Sequence, residues 1–190
     1  MGRTMNNFTR RGFTLAALAG AGTLAACGNG VGTNNAQRID ARVDATLDHL
    51  YSNYPNTRNL ADKSTGILVM PLMTEGGFFV GGGYGRGALR VGGSTVDYYS
   101  ATKGSVGLQI GAQQFAHVLF FMTDDALARF RRSSGWAAGA DIEYVFNDRG
   151  ENIRAETTTS TSPVVAVIFG QAGALAGVSL EGMKYTRIIP

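Results

Sequence analysis

The sequence predicts an α+β fold, a single compact domain of glycine-rich, mainly antiparallel β-strands with an N-terminal amphipathic helix and a second short helix. From residue 66 onward, short apolar runs are repeatedly interrupted by glycine, of which the chain has 27. Glycine spread through apolar stretches is typical of strands and turns that pack backbone to backbone. One other segment has apolar residues at the three- and four-residue spacing of a helix, and a second has residues typical of helix ends. Residues 36–190 contain no repeat and no linker, which favours one domain.

Residues 1–27 are predicted to be an export signal. Arg10 and Arg11 precede an apolar run of about 15 residues, which is too short for a permanent membrane helix and typical of a secretory signal. Residues 24–27, Leu-Ala-Ala-Cys, resemble the lipobox of bacterial lipoproteins, and residues 9–14 resemble a twin-arginine export signal. Cys27 is the single cysteine of the chain and is the predicted lipidation site. The alternative is an ordinary signal peptide with an incidental cysteine.

Residues 28–35 are small and polar and predict a tether between the lipid and the folded domain. Three of the 17 basic residues and none of the 14 acidic residues lie before Cys27, so 14 of each follow it. A mature chain near neutrality has no electrostatic footprint for nucleic acid. With Cys27 acylated, no thiol is left for a disulfide, so packing alone is expected to hold the domain together.

Residues 36–54 predict the first helix. The apolar residues recur at intervals of three or four and form one stripe: Ile39, Val43, Leu47, Leu50 and Tyr54. Aspartates flank this stripe on one side, and Arg38 and Arg42 on the other. The helix could dock on its own domain or contact lipid directly. Its slightly acidic composition favours docking, because membrane-surface helices are usually rich in Lys and Arg.

Apolar runs broken by glycine predict the strands that follow. Residues 55–60 are expected to end the first helix, and Gly66–Pro71 is predicted to be a buried strand that its proline ends. Phe78–Val80 is predicted to be the next strand, running into the glycines before Ala88. Alternation over 106–110 and the apolar run 113–122 predict two more strands.

Thr123 is the predicted cap of the second helix, with aspartates in the first turn and arginines in the last, an order that complements the helix dipole. Gly135 is expected to end it. Alternation over 140–146, turn residues at 147–150 and a threonine-rich arm at 152–159 predict a hairpin. The apolar segment 163–180, broken by glycines, predicts two buried strands.

A loose dinucleotide-binding pattern occurs at Gly83–Ala88. Pyrophosphate binding requires a helix that begins directly behind the glycines, whereas residues 89–93 read as strand and turn. We therefore interpret these glycines as allowing strands to cross closely. No phosphate-binding loop precedes Lys103 either, and no nucleotide or other cofactor is expected.

Catalytic and metal-binding patterns are weak. The segment around Ser179 nearly matches a nucleophile elbow, but Glu181 replaces the second glycine. His49 and His117 are the only histidines, and with no free cysteine they leave little for a zinc site. The chain is thus predicted not to be an enzyme, with no catalytic and no metal residues. A hydrolase using Ser179 or a carboxylate would need a histidine beside the nucleophile.

Arginine is the residue type that offers a binding function, because its fork of donors suits phosphate groups. The predicted contacts to lipid phosphate come from both helices: Arg38, Arg42, Arg129, Arg131 and Arg132. For the last three, stabilisation of a helix C-terminus is the alternative explanation.

Four segments, 61–71, 76–87, 109–113 and 173–182, together resemble the SYLF domain family. The ordered set covers most of the chain from about residue 36 and predicts a SYLF-like lipid-binding domain over 36–190. The resemblance implies a non-enzymatic domain that binds phospholipid. In eukaryotic relatives it binds phosphoinositides, and in the yeast branch also actin filaments. Bacterial relatives are exported lipoproteins that carry the domain alone.

These observations together predict a membrane-anchored envelope lipoprotein whose domain binds phospholipid head groups. Gly28 after the cysteine, in place of aspartate, favours the periplasmic face of the outer membrane by the usual sorting rule. The expected partner is a phospholipid membrane, with no nucleic acid and no nucleotide. The alternative is a structural or assembly lipoprotein that binds another envelope protein.

Overall fold

The computed structural model describes residues 34–78, 80–106, 111–139, 142–146, 162–173 and 179–190. All of them belong to one compact unit, Gly32–Pro190. The predicted export signal, with Arg10, Arg11 and Cys27, lies outside the described residues, as does most of the tether 28–35.

Three helices and eight strands make up the described part of the chain. The helices are α1 (Asn35–Asn53), α2 (Thr57–Lys63) and α3 (Asp124–Arg132). The strands are β1 (Gly66–Phe78), β2 (Val80–Val91), β3 (Ser94–Val106), β4 (Gly111–Phe121), β5 (Trp136–Ala137), β6 (Ile142–Phe146), β7 (Val164–Gly173) and β8 (Lys184–Ile188).

The strands form one sheet in the order β5-β8-β3-β2-β1-β4-β7-β6. Every neighbouring pair is antiparallel except β6 and β7, which are parallel. The predicted α+β class with a mainly antiparallel sheet is confirmed. Because β6 and β7 run in the same direction, they are not the two arms of one hairpin. The predicted turn at 147–150 and arm at 152–159 lie outside the described residues.

The sheet is strongly curled. β4 and β8 are separated by three strands, yet His117 Nε2 on β4 lies 2.8 Å from Tyr185 Oη on β8. Phe130 of α3 fills the concave side, with its ring centroid 4.7 Å from that of Tyr99 and 4.8 Å from that of Phe121. The aromatic interior therefore joins strands that are distant in the sheet.

Glycines on the inner face of β2 permit this curl. A Cβ on Gly87 would overlap the carbonyl oxygen of Val69, and one on Gly85 would lie 2.6 Å from the carbonyl oxygen of Leu72. A Cβ on Gly83 would meet Glu75 Cγ at 2.7 Å. Only glycine lets β1 approach the β2 backbone this closely.

The two faces of the sheet carry separate cores. Leu68 and the neighbouring Val69 point in opposite directions, Leu68 into the concave core with α3 and Val69 into the convex core with α1. Ile39, Val43 and Leu50 of α1 and Leu60 of α2 are buried in the convex core. The predicted apolar stripe of α1 is thus confirmed, and α1 and α3 lie on opposite faces.

The acidic side of α1 contacts the sheet as well. Asp44 Oδ1 accepts a hydrogen bond of 2.6 Å from Arg90, and Asp40 accepts hydrogen bonds from Thr95 (2.7 Å) and Tyr98 (2.8 Å). Arg90 also lies 3.7 Å from Asp40. Of the two positions considered for this helix, the structure has it docked on its own domain.

Several predicted boundaries were wrong. β1 does not end at Pro71 but continues to Phe78, because the proline lies at an irregularity in the ladder where no donor is needed. Residues 57–63 form α2, where only a break was expected. The strand predicted to run from Phe78 into the glycines is β2, which begins at Val80, whereas Phe78 is the last residue of β1. α3 ends at Arg132, before Gly135, and β8 was not predicted.

Candidate functional site

Two strands bulge at the same level of the sheet, on either side of β4. Between Val69 and Leu72, β1 holds one residue more than β2 opposite it, and it does so against β4 as well. β7 likewise holds one extra residue, next to Gly170, whose φ is +66°. Bulges bend a strand and break its ladder, and they are common near binding sites. Here they make a depression in the convex face beneath α1.

The depression forms an apolar groove of about 420 Å³. Its walls come from α1, β1, β4 and β7 and include Ala45, His49, Leu72, Phe115, Ala116 and Phe169. The His49 ring stacks on Phe169 with 6.0 Å between centroids. Arg42 stands at the edge of this groove. The apolar groove is therefore a recess for hydrophobic groups with a cation at its margin.

A second groove of about 350 Å³ adjoins it, between the start of α1 and strands β1 and β2. We call it the arginine groove; its walls include Arg38, Arg42, Leu72, Thr74, Tyr84 and Arg86. No acidic residue is among the described residues that line it. Leu72 and Tyr84 are 42% and 48% exposed, although large apolar side chains are more often buried.

The guanidinium groups of the arginine groove are available to a ligand. Arg38 and Arg42 are exposed, and neither makes a side-chain hydrogen bond or ion pair with another described residue. Arg86 Nε donates to Tyr84 Oη at 2.7 Å, which positions the guanidinium and leaves its terminal nitrogens free of described partners. The arrangement suits an anion with several acceptor oxygens.

The docking of α1 explains why its arginines face this groove. Its aspartate side is held against β2 and β3 through Arg90, so the opposite side, with Arg38 and Arg42, lies over the β1 bulge. The two grooves share Arg42, Pro71 and Leu72 as a common wall.

The other predicted lipid contacts lie elsewhere. Arg129, Arg131 and Arg132 occupy the last turn of α3, which packs on the concave face. Arg131 Nε donates to Asp97 Oδ2 at 3.1 Å, and its carbonyl oxygen accepts from Arg187 at 2.7 Å. Arg129 and Arg132 are exposed. The structure thus brings Arg38 and Arg42 together and separates them from the three arginines of α3.

Arg86 was not predicted as a site residue. It lies in a glycine-rich strand, and its proximity to α1 depends on the β1–β2 register, in which Arg86 pairs with Leu72. The alternation of side chains along β2 could have indicated its position. Tyr84, Arg86 and Ala88 lie on one face of the strand, and Ala88 is in the convex core.

The interior holds a small polar cluster at one end of the concave face. Gln113 Nε2 donates to Glu75 Oε2 at 2.8 Å, and Lys103 Nζ lies 3.8 Å from Glu75 Oε1. Lys103 also donates to the carbonyl oxygen of Ser179. Glu75 Oε1 is buried and has no hydrogen-bond partner among the described residues, so only the ion pair with Lys103 compensates its charge.

The histidines are far from forming a catalytic pair. His117 is fully buried, and burial lowers its pKa from 6.5 to about 3, so it stays neutral at physiological pH. His49 is exposed on α1 with its Nδ1 3.3 Å from Asn53 Nδ2. The Ser179 hydroxyl accepts from the Glu181 amide at 3.1 Å. No group of three or more potential metal ligands occurs among the described residues.

The glycine motif at 83–88 lies inside the antiparallel strand β2, which turns at Gly92 and Gly93, both with positive φ, into β3. No helix begins behind it, as expected from the sequence. None of the helices in the described ranges is long and apolar enough to cross a membrane.

Residues 102–187 match a family model described as Ysc84: Las17-binding protein actin regulator. The match confirms the resemblance to the SYLF family over these residues. It spans the end of β3 through most of β8, including α3, whereas the arginine groove lies N-terminal to it. A comparison with curated proteins finds no match.

Proposed function

We propose that the protein is a non-enzymatic envelope lipoprotein, anchored through Cys27, whose domain binds phospholipid head groups in the arginine groove. The observation that carries this proposal is the convergence of Arg38, Arg42 and Arg86 on one groove without an acidic lining residue. Arginine forks bind phosphate oxygens in pairs, which a point charge on lysine does not do. The family resemblance, which implies phospholipid binding, supports the same assignment.

The exposed apolar residues beside the arginines fit a membrane surface. Leu72 and Tyr84 stand next to the guanidinium groups, so a phosphate held there would bring both side chains to the head-group region. Tyrosine favours such interfaces because its ring is apolar and its hydroxyl polar. Their exposure on a folded domain then has a physical reason.

The position of the predicted anchor agrees with this orientation. Asn35, at the start of α1, lines the arginine groove and lies eight positions after Cys27 in the sequence. A chain of that length reaches at most about 29 Å. An acylated Cys27 therefore keeps the groove within reach of the bilayer that holds it, which we place at the periplasmic face of the outer membrane. Mass spectrometry of the mature N-terminus tests the acylation, and an unacylated N-terminus would contradict it.

Vesicle flotation with a non-acylated chain that begins at Gly28 tests head-group binding. We expect binding to vesicles that contain phosphatidylglycerol, and we expect added salt to weaken it. Arg38→Ala combined with Arg86→Ala should abolish flotation. Arg129→Ala combined with Arg132→Ala is the matched control, since these arginines are equally exposed but lie on α3.

Two outcomes would contradict the proposal. If the chain ignores vesicles of every composition at low salt, the domain does not recognise lipid. If the α3 variant alone loses binding, the contact surface is α3 and not the arginine groove.

A second candidate is a structural or assembly lipoprotein that binds another envelope protein. The family description, which names a protein-binding regulator, favours it. Cross-linking in cells would then recover one stoichiometric protein partner, and Leu72→Ser or Tyr84→Ser would reduce that yield without changing flotation.

A further inference from the structure

We propose that the arginine groove and the apolar groove together form one site for a single-chain phospholipid, with the phosphate among the arginines and the acyl chain beneath α1. This inference rests on the proposed function and adds to it a specific ligand class. Head-group contact at a membrane surface needs only the arginine groove, so the apolar groove is unexplained without a chain to fill it.

The two grooves are continuous with each other. Arg42, Pro71 and Leu72 belong to both walls, so a ligand can pass from one groove into the other along the β1 bulge. An anionic group among the guanidiniums would have its apolar remainder directed over Leu72 toward Phe169. The charge pattern therefore fits an amphiphile with one anionic end.

The chemistry of the apolar groove fits a hydrocarbon chain. Ala45, Ala116 and Phe169 offer carbon surfaces, and the Thr46 hydroxyl is already bonded to the carbonyl oxygen of Arg42 at 2.7 Å. His49 stacks on Phe169 at the wall. Arg42 and His49 are the other polar side chains of this groove, and both are exposed to solvent, so the remaining walls suit an apolar chain.

The bent backbone of the two bulges and small wall residues such as Ala45 and Ala116 together build the recess. The extra residues of β1 and β7 bend both strands beside β4, and a Cβ on Gly170 would meet open space. The groove therefore persists in the folded protein. Its volume of about 420 Å³ lies in the usual range for small-molecule sites, about 300–1,000 Å³.

One chain fits the site better than two. Among the described residues, the apolar groove adjoins the arginines, and the two grooves meet along a single wall. A diacyl lipid would leave its second chain in water, whereas a single-chain phospholipid buries its only chain. Burial of each methylene group of that chain is favourable because it removes apolar surface from water.

Filling the apolar groove tests the proposal in full-length protein that carries Cys27→Ser. The probe is palmitoyl lysophosphatidylglycerol below its micelle concentration, with binding measured by titration calorimetry. Ala45→Trp fills the groove from α1 and should weaken binding about tenfold or more, because several methylene groups lose their place. Ala41→Trp is the matched control: Ala41 is also exposed on α1 but lines neither groove, so its affinity should stay within about twofold of the parent. The leader is common to all variants and cancels in the comparison.

Ala116→Leu fills the same groove from β4 and provides a second variant should Ala45→Trp fold poorly, which circular dichroism would reveal. Equal affinity of the groove-filling variants and Ala41→Trp would overturn the proposal, as would a parent protein that does not bind the probe. Palmitate bound as tightly as the lysophospholipid would overturn the assignment of the phosphate to the arginines.

Failure of the single-chain inference can be distinguished from failure of head-group binding. If flotation depends on Arg38 and Arg86 but the groove-filling variants bind the probe normally, only the single-chain inference fails. If flotation does not depend on those arginines, the head-group proposal fails first.

Discussion

Gly83, Gly85 and Gly87 leave the middle of β2 without side chains on its inner face, and β1 lies close against that bare backbone. The alternation places each glycine on the same face of the strand. A side chain at any of these positions would have to displace the backbone or side chains of β1. These residues therefore act through the space that they leave open.

Gly87→Ala should lower the free energy of unfolding by about 3 kcal/mol, because its Cβ would overlap the carbonyl oxygen of Val69 and the backbone would have to shift. Gly104→Ala is the matched control, since a Cβ there meets nothing within 4 Å. Urea unfolding of both variants measures the difference. Equal stability of the two would contradict the close approach of β1 and β2.

At the same scale, the sequence predicted part of the candidate site. Arg38 and Arg42 were identified because they flank an apolar stripe whose helical period can be read directly. Arg86 was not, because its neighbours are set by strand pairing, which a local pattern does not encode. The bulge at Pro71 was read as the end of a strand for the same reason.

Among the elements, the two polar sides of α1 have different roles. Asp40 and Asp44 hold the helix against β2 and β3, while Arg38 and Arg42 face the arginine groove. The position of the arginines thus depends on the aspartates on the other side of the same helix.

Asp44→Ala should reduce stability by about 1 kcal/mol, because it removes the 2.6 Å hydrogen bond from Arg90, whose side chain is only 16% exposed. Asp48→Ala provides the control: Asp48 is exposed on the same helix and has no hydrogen bond or ion pair with another described residue. Its stability should stay within about 0.5 kcal/mol of the parent. Chemical denaturation distinguishes the two, and a loss as large for Asp48→Ala would show that Arg90 does not hold the helix.

Both predicted helices are confirmed, whereas β3 and several short elements were not predicted. The helix predicted over 36–54 is Asn35–Asn53, and the cap of α3 at Thr123 accepts from the Ala126 amide as expected. The seven-residue α2 was missed because it buries only Thr57 and Leu60, too few residues for a visible period. β8 is shorter still, with five residues, and its pairing with β3 is long-range.

For the whole molecule, the contact between His117 and Tyr185 shows how far the sheet curls. Both side chains lie in the concave core, and His117 Nδ1 has no hydrogen-bond partner among the described residues. Protonation of His117 would place a charge in an apolar interior. The fold therefore depends on this ring remaining neutral.

Burial holds the pKa of His117 at about 3 in the folded chain, against 6.5 when it is exposed. Between these values the unfolded chain binds a proton that the folded chain does not, so stability falls as the pH falls below 6.5. At pH 5 this group should cost about 2 kcal/mol relative to pH 7.

Urea unfolding at pH 7, 6 and 5 measures this dependence. His117→Gln removes the titrating group, so its stability should fall with pH about 2 kcal/mol less than that of the parent. If the stability of His117→Gln falls with pH as steeply as that of the parent, His117 does not cause the acid sensitivity.

Topology was the part that the sequence could not supply. Glycine and apolar runs indicated a mainly antiparallel sheet, but the parallel pairing of β6 with β7 and the curl that joins β4 to β8 arise from contacts between distant segments. The family resemblance is matched over residues 102–187. Within that range no local pattern predicts which strands become neighbours.

The bulges of β1 and β7 have one more consequence. A hollow shaped by the course of the main chain survives exchange of the side chains that cover it, provided that the strands keep their extra residues. Homologous proteins could then change their ligand through single substitutions at positions such as Ala45 or Ala116 while the architecture stays the same. Ligand selectivity could then change in evolution without loss of the ability to fold.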